Sequence, residues 1–159
     1  MDISLDWLGP IDLQDAVDDG LIYSLPTQEI EAIPTVPGVY VFARVHGRAV
    51  SPLYIGKAGN VRKRISQQFN NLRLMRGLED APAGFRTLHL AIPAIRRGQK
   101  AAKVITIVEQ SLISAALADG FEILNKQGTK TLVHRISSHG SREARRWLPG
   151  NEIHLRRGA

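Results

Sequence analysis

The chain has 159 residues, enough for one domain that buries roughly 70% of the surface its unfolded form exposes. Hydrophobic residues make up 43% and charged residues 23%, ordinary globular values that exclude a wholly disordered chain. The net charge is +6, and the absence of cysteine excludes disulfides, thiol nucleophiles, Cys-ligated zinc and iron–sulfur clusters.

The charge is unevenly spread. Residues 1–43 carry eight acids and no Lys or Arg, whereas residues 44–159 hold all 21 basic side chains and the other seven acids, a balance of +14. A basic body of that density attracts polyanions, nucleic acid first among them. Aliphatic runs are too short to predict a membrane span. The start, with Asp2 and Asp6 and no early base, does not read as a secretory signal, so a cytoplasmic location is expected.

Residues 1–33 read as an acidic lead segment in which Asp12 would cap a short helix through Val17, ending near Gly20. Pro34 and Pro37 punctuate the chain. The run Gly38–Arg44 is rich in β-branched and aromatic residues and predicts a strand, His46-Gly47-Arg48 a turn, and the residues around Pro52–Gly56 a second strand, together a hairpin. Asn60 suits the N-cap of a helix predicted to reach about Leu74, with Val61, Ile65, Phe69 and Leu72 as its apolar stripe. Arg62, Lys63 and Asn70 fall on the opposite face, and Arg64 and Gln68 at the edge of the stripe. Residues 77–85 are expected to form a loop, Arg86–Ile92 a third strand, and Gln99–Ala118 a long helix stopped by Asp119-Gly120. After a short apolar segment, Phe121–Asn125, the tail resumes with Thr131–Ile136. A helix capped by Ser141 and running to Leu148 is expected next, before a basic end.

No phosphate-binding loop of the Walker type, no dinucleotide fingerprint and no metalloprotease histidine pair is present. Glu109 is the most informative single residue. On a helical wheel it lies within about 60° of Ile105, Leu112, Ile113 and Ala116, inside the apolar half. An unpaired carboxylate there costs several kcal/mol, so it calls for an Arg, a backbone donor or a metal ion. The second cluster is Gly38-Val39-Tyr40 followed by Tyr54-Ile55-Gly56-Lys57. Two of only three tyrosines stand at matching places on the hairpin, where one groove can hold both phenols. A glycine that admits a close backbone or phosphate approach, and the basic helix start Lys57–Arg64, follow directly.

With Gly38-Val39-Tyr40, Tyr54-Ile55-Gly56, the continuation from Lys57 to Arg64, Glu109 and Asn125 in this order, the sequence resembles the GIY-YIG nucleases over about residues 34–127. The resemblance implies an α/β (α+β) domain with a small three-stranded antiparallel sheet flanked by helices. Residues 1–33 become an acidic N-terminal extension packed on the core, 34–127 the nuclease core, and 128–159 a basic C-terminal extension. It further implies divalent-metal-dependent endonuclease cleavage of DNA phosphodiesters. Glu109 would bind one Mg²⁺ or Mn²⁺, and Tyr40 would orient or deprotonate the attacking water with Lys57 lowering its pKa. Tyr54 would hold the phosphate or nucleophile, Arg64 would brace the transition state, and Asn125 would support the site through hydrogen bonds. Gln68 stands where many family members carry His or Tyr, and cannot serve as a base. Gly56, Arg62, Lys63, Arg96, Arg97 and Lys100 are the candidate nucleic-acid contacts. The expected partner is duplex or branched DNA, with no membrane and with a homodimer compatible. A catalytically silent nucleic-acid-binding module on the same fold is the alternative, and a protein-interaction module using the acidic segment a third reading. The family serves restriction, nucleotide excision repair, intron homing and branched-DNA processing, and these residues do not choose among those roles.

Overall fold

The computed structural model describes residues 1–17, 20–125, 131–135 and 152–156. The expected helix from Ser141 to Leu148, the basic C-terminal extension as a unit and most of the tail arginines lie outside the described residues.

The sheet grows from the hairpin. Strands β4 (Gly38–His46) and β5 (Ala49–Ala58) pair antiparallel around a two-residue turn, where Gly47 supplies a φ of +61°. That matches a type II′ hairpin, whose first central position favours glycine. Strand β6 (Phe85–Pro93) pairs with the other side of β4, and β1 (Leu5–Asp12) pairs with β6. The result is a four-stranded antiparallel sheet in the order β1-β6-β4-β5, one strand more than expected.

The extra strand comes from the acidic lead segment. The expected helix from Asp12 to Val17 is absent: Asp12 ends β1, and Gln14 and Asp15 pair with Ser24 and Tyr23 instead. Ile3 and Leu5 pack on one face of the sheet, and Ile11 and Leu13 on the other. The register shift between Leu8 and Ile11 moves them across. Exposed Asp6 and Asp12 then stand on the sheet's outer strand, where charge discourages pairing with another chain. A short ribbon of β2 (Gln14–Asp15) and β3 (Tyr23–Ser24) and the helix α1 (Thr27–Ala32) lead back to β4.

Helices cover both faces. On one side lie α2 (Val61–Gln68) and α3 (Leu72–Asp80), over a core of Tyr40, Phe42, Val61, Ile65, Phe69, Met75, Leu78, Leu88 and Leu90. Complete burial of a side chain such as Ile65 contributes about 1.5–3 kcal/mol. The single helix expected from Asn60 to Leu74 is two helices. The Asn71 side chain accepts from Leu74 N–H and starts a new helix, which also takes in Gly77–Asp80 from the expected loop. The residues after it are held by two arginines of the sheet. Arg86, buried, donates to the carbonyls of Leu78, Ala81, Pro82 and Gly84, and Arg44 donates to those of Pro82 and Ala83.

On the opposite face lies α4 (Ala101–Ala118), packed through Val104, Ile105, Val108, Ile113 and Ala116 on Val39, Val41, Ile55 and Ala91. With a mean hydropathy of 1.4 over 18 residues, α4 is long and apolar enough to cross a membrane by length and composition, which continuous aliphatic runs did not reveal. Its five buried residues, 28% of that window, form the stripe that faces the sheet. Gly120, at φ +83°, ends the helix while Phe121 N–H bonds back to the Ala116 carbonyl. Beyond the core, β7 (Thr131–Arg135) and β8 (Glu152–Arg156) form a separate antiparallel pair.

Candidate active site

The edge strand β5 carries the site, because residues on its two faces meet helices from opposite sides of the sheet. Tyr54 and Gly56 share the face of Tyr40 and α2, whereas Lys57 turns toward α4. A cavity of about 660 Å³ opens over this edge. It brings together Tyr40, Tyr54, Gly56, Lys57, Arg64, Glu109 and Asn125, and it is also lined by Gln68, Asn71 and Arg73.

The two tyrosines are diagonal rather than opposite. Tyr40 faces Gly56 across the hairpin and Tyr54 faces Phe42, which leaves the two phenol rings 6.2 Å apart. Gly56 is required by the space this leaves. A Cβ there would overlap the far end of the Tyr40 ring, including its hydroxyl. Gly56→Ala is therefore expected to lower stability by about 1–3 kcal/mol, as overpacking does in a dense core, read as a lower urea midpoint. An unchanged midpoint would show that the ring can slide aside. Gly38, two residues before Tyr40 on β4, acts in a related way. A side chain there would press on Val61 and Ile92, so its absence lets α2 approach the sheet.

Helix α2 then sets Arg64 and Gln68 one turn apart above the tyrosines. Its start is fixed by Asn60, whose Oδ1 accepts from Lys63 N–H at 3.1 Å. Gln68 Nε2 donates to the Tyr40 hydroxyl at 2.6 Å, and Asn71 Nδ2 donates to Gln68 Oε1 at 3.2 Å. Tyr40 is almost fully buried. Burial pushes its phenol well above its usual range, the Gln68 bond and Arg64 pull against that, and Tyr54 adds to the rise. Lys57 is not the cation that acts on Tyr40, contrary to the sequence expectation. Its Nζ donates to Thr106 Oγ1 at 2.9 Å and lies 4.0 Å from Glu109 Oε1.

That contact also answers the question posed by the wheel. Glu109 faces the cavity from α4, its side chain 18% exposed, and its cation partner is Lys57 rather than a core-edge arginine. Burial pushes the carboxyl above its usual range and Lys57 pulls it back. A 4.0 Å ion pair is loose and leaves carboxylate lone pairs open toward the cavity. No cluster of three or more His, Asp or Glu side chains occurs among the described residues. A single carboxylate in a polar cavity suits a hard cation that keeps most of its water, as Mg²⁺ does.

Asn125 serves the edge of the sheet. Its Oδ1 accepts from Ile55 N–H at 2.9 Å and its Nδ2 donates to the Ile55 carbonyl, so one side chain stands in for a neighbouring strand. Leu124 N–H bonds to the Leu53 carbonyl beside it.

The candidate nucleic-acid contacts are dispersed. Gly56 lies inside the cavity, Lys63 lies on a shallow polar hollow along the outer face of α2, and Arg96, Arg97 and Lys100 are exposed between β6 and α4. Arg62 has a structural task. Its guanidinium donates to the carbonyls of Ile33 and Glu31, each at 2.7 Å, and ties the segment before β4 to α2. Gln68, Asn71 and Arg73 were absent from the sequence-derived site. Gln68 was signalled by its position one turn beyond Arg64. Asn71 and Arg73 depend on the break between α2 and α3, which the apolar stripe concealed.

This ordered set of residues, on an antiparallel sheet flanked by helices, is consistent with a GIY-YIG-like fold. In sequence the chain is similar to the UvrABC system protein C of Chlorobium phaeobacteroides, 44% identical over 48 residues that make up 30% of this chain and 7% of that protein. It is also similar to the UvrABC system protein C of Deinococcus radiodurans, 46% identical over 41 residues, 26% of this chain and 6% of that protein. These matches thus span only a small part of either relative. No family model and no solved structure matches the chain.

Proposed function

We propose that this protein is a divalent-metal-dependent endonuclease that hydrolyses DNA phosphodiester bonds in the cytoplasm. The carrying observation is convergence. Tyr40, Tyr54, Lys57, Arg64 and Glu109, from β4, β5, α2 and α4, line a single cavity of about 660 Å³. Phosphodiester hydrolysis needs a held water, cationic relief of the charge growing on phosphorus, and help for the leaving oxygen.

Each need has a group here. Glu109 would hold one Mg²⁺ or Mn²⁺, which when bound supplies Lewis-acid stabilisation to the phosphate and the leaving 3′ oxygen. Arg64 braces the non-bridging oxygens. Lys57, between Thr106 and Glu109, adds positive charge while keeping the carboxylate ionised. Tyr54, half-buried at the cavity, holds the phosphate or the attacking water. Tyr40, with its phenol pushed up by burial, acts as an orienting group with its proton in place, rather than as a phenolate at neutral pH. The UvrABC system protein C likeness supports a nuclease-type domain, and the basic body supports DNA as the polyanion.

The deciding experiment is nicking of supercoiled plasmid with Mg²⁺, Mn²⁺ or EDTA. Metal-dependent relaxation is expected, and binding without cleavage under every condition would leave a silent nucleic-acid-binding module. Affinity for duplex DNA is expected to fall steeply from low to moderate salt, with a log–log slope of about −0.9 per neutralised phosphate. Arg62→Ala should leave that slope nearly unchanged, since its guanidinium is held by backbone carbonyls, whereas Lys63→Ala should reduce it by roughly one phosphate. A flat salt dependence would remove the basic body as the DNA surface.

A further inference from the structure

The start of α3 dictates the direction of hydrogen bonding at Tyr40. Asn71 is the N-cap of that helix, and its Oδ1 accepts from Leu74 N–H at 3.2 Å. Its Nδ2 is thereby turned toward Gln68 and donates to Oε1 at 3.2 Å. With Oε1 so engaged, Gln68 presents Nε2 to the Tyr40 oxygen at 2.6 Å. Gln68 is 8% exposed and Tyr40 1%. Turning the buried Gln68 amide over would set its Nε2 against Asn71 Nδ2, donor against donor, and a buried polar group left unpaired costs about 1–3 kcal/mol. The Tyr40 oxygen therefore receives a hydrogen bond from the helix side. Its own proton is thereby left for the cavity side, where the Tyr54 ring lies 6.2 Å from that of Tyr40, centroid to centroid.

We propose that Gln68, locked by Asn71, is a positioning residue of this site: it fixes a one-way chain of hydrogen bonds from Asn71 through Gln68 to the Tyr40 oxygen. The chain denies the Tyr40 proton to the helix and leaves it for the cavity, which Tyr54 also lines. Glutamine suits this place because it offers a donor and an acceptor at once without taking up or losing a proton. The effect on rate rests on the nuclease reading above, whereas the direction of the chain does not.

Three variants test it. Asn71→Asp keeps the helix cap, since Asp caps as well as Asn, but it offers acceptors only. Gln68 must then turn its amide toward position 71 and present Oε1 to the phenol. Gln68→Met removes the chain at similar size, and Gln68→Glu replaces the donor by an acceptor at nearly constant shape. In Mn²⁺-dependent plasmid nicking, kcat should fall about tenfold or more in Asn71→Asp, with KM within about twofold and an unchanged melting temperature. Gln68→Glu should fall further than Gln68→Met, although it is the closer mimic. Gln68→Glu nicking as fast as wild type would overturn the proposal.

A second measurement needs no cleavage. In ¹H–¹⁵N spectra the Gln68 side-chain amide should move on Tyr40→Phe, which removes its acceptor, and again in Asn71→Asp. An amide indifferent to both changes would overturn the chain. If wild type cleaves no DNA, the nuclease reading falls and the spectra alone decide the chain. If Gln68→Met fails to fold, Asn71→Asp carries both measurements.

Discussion

Tyr40→Phe is expected to slow metal-dependent DNA cleavage by roughly 10²- to 10⁴-fold, the range in which positioned proton-handling groups contribute, while DNA affinity stays within about twofold. The ring remains, so its edge-to-face contact with Phe42 at 5.9 Å and its place above Gly56 survive. Only the hydroxyl goes, and with it the acceptor of the Gln68 Nε2 hydrogen bond. Removing it leaves Gln68 Nε2 as a buried donor without its acceptor, so a stability loss of about 1–3 kcal/mol should accompany the rate effect. Nicking rates, a binding isotherm in EDTA and a melting curve separate these effects. Normal cleavage by the variant would make Tyr40 a packing residue, and the water would have to be held by Tyr54 alone.

The residues that meet in the cavity were largely legible in the sequence, because the chemistry of each is local and its spacing follows from an element. Tyr40 and Tyr54 sit on a hairpin whose turn is marked by Gly47, and Glu109 betrayed itself as a carboxylate on an apolar stripe. The partners of those residues were not legible. Whether Lys57 turns to Tyr40 or to Glu109 depends on which face of the edge strand it occupies. A β-bulge between Phe42 and Ala43 and the placement of α4 both enter that geometry. The role of Arg62 was hidden for the same reason, since a basic residue on a polar helix face reads alike whether it meets phosphate or a backbone carbonyl. The strand β1 was missed for a different reason. Its alternation is interrupted at Gly9-Pro10, where the register shifts and the apolar residues change face, so neither half is long enough to announce a strand. The break between α2 and α3 was concealed because Val61, Ile65, Phe69 and Leu72 maintain one helical stripe across it. Only the capping chemistry of Asn71 marks the new start.

Glu109→Gln is expected to separate the metal reading from the ion-pair reading by the sign of its effect on stability. The carboxylate is 18% exposed on a largely apolar helix face, and its cation contact among the described residues is Lys57 at 4.0 Å. Burial already pushes the carboxyl above its usual range, which means the folded protein carries this charge at a cost that Lys57 only partly offsets. Glutamine removes the charge at nearly constant volume. Lys57 is not stranded by the change, because its side chain is 39% exposed and Thr106 Oγ1 still accepts from it. The metal-free protein should therefore hold its stability or gain, by about 0–2 kcal/mol. If Glu109 holds the ion, the rise in melting temperature that Mn²⁺ gives the wild type should vanish together with nicking, since a ligand stabilises only the state that binds it. A purely structural pair predicts the reverse pattern: a loss of stability on substitution, no response of the wild type to metal, and cleavage retained. Melting curves of both proteins in EDTA and in Mn²⁺, with one nicking gel, distinguish the two. A destabilised variant that still cleaves DNA would remove Glu109 from the metal site and, with it, the chemical basis for reading this cavity as a metal-dependent nuclease.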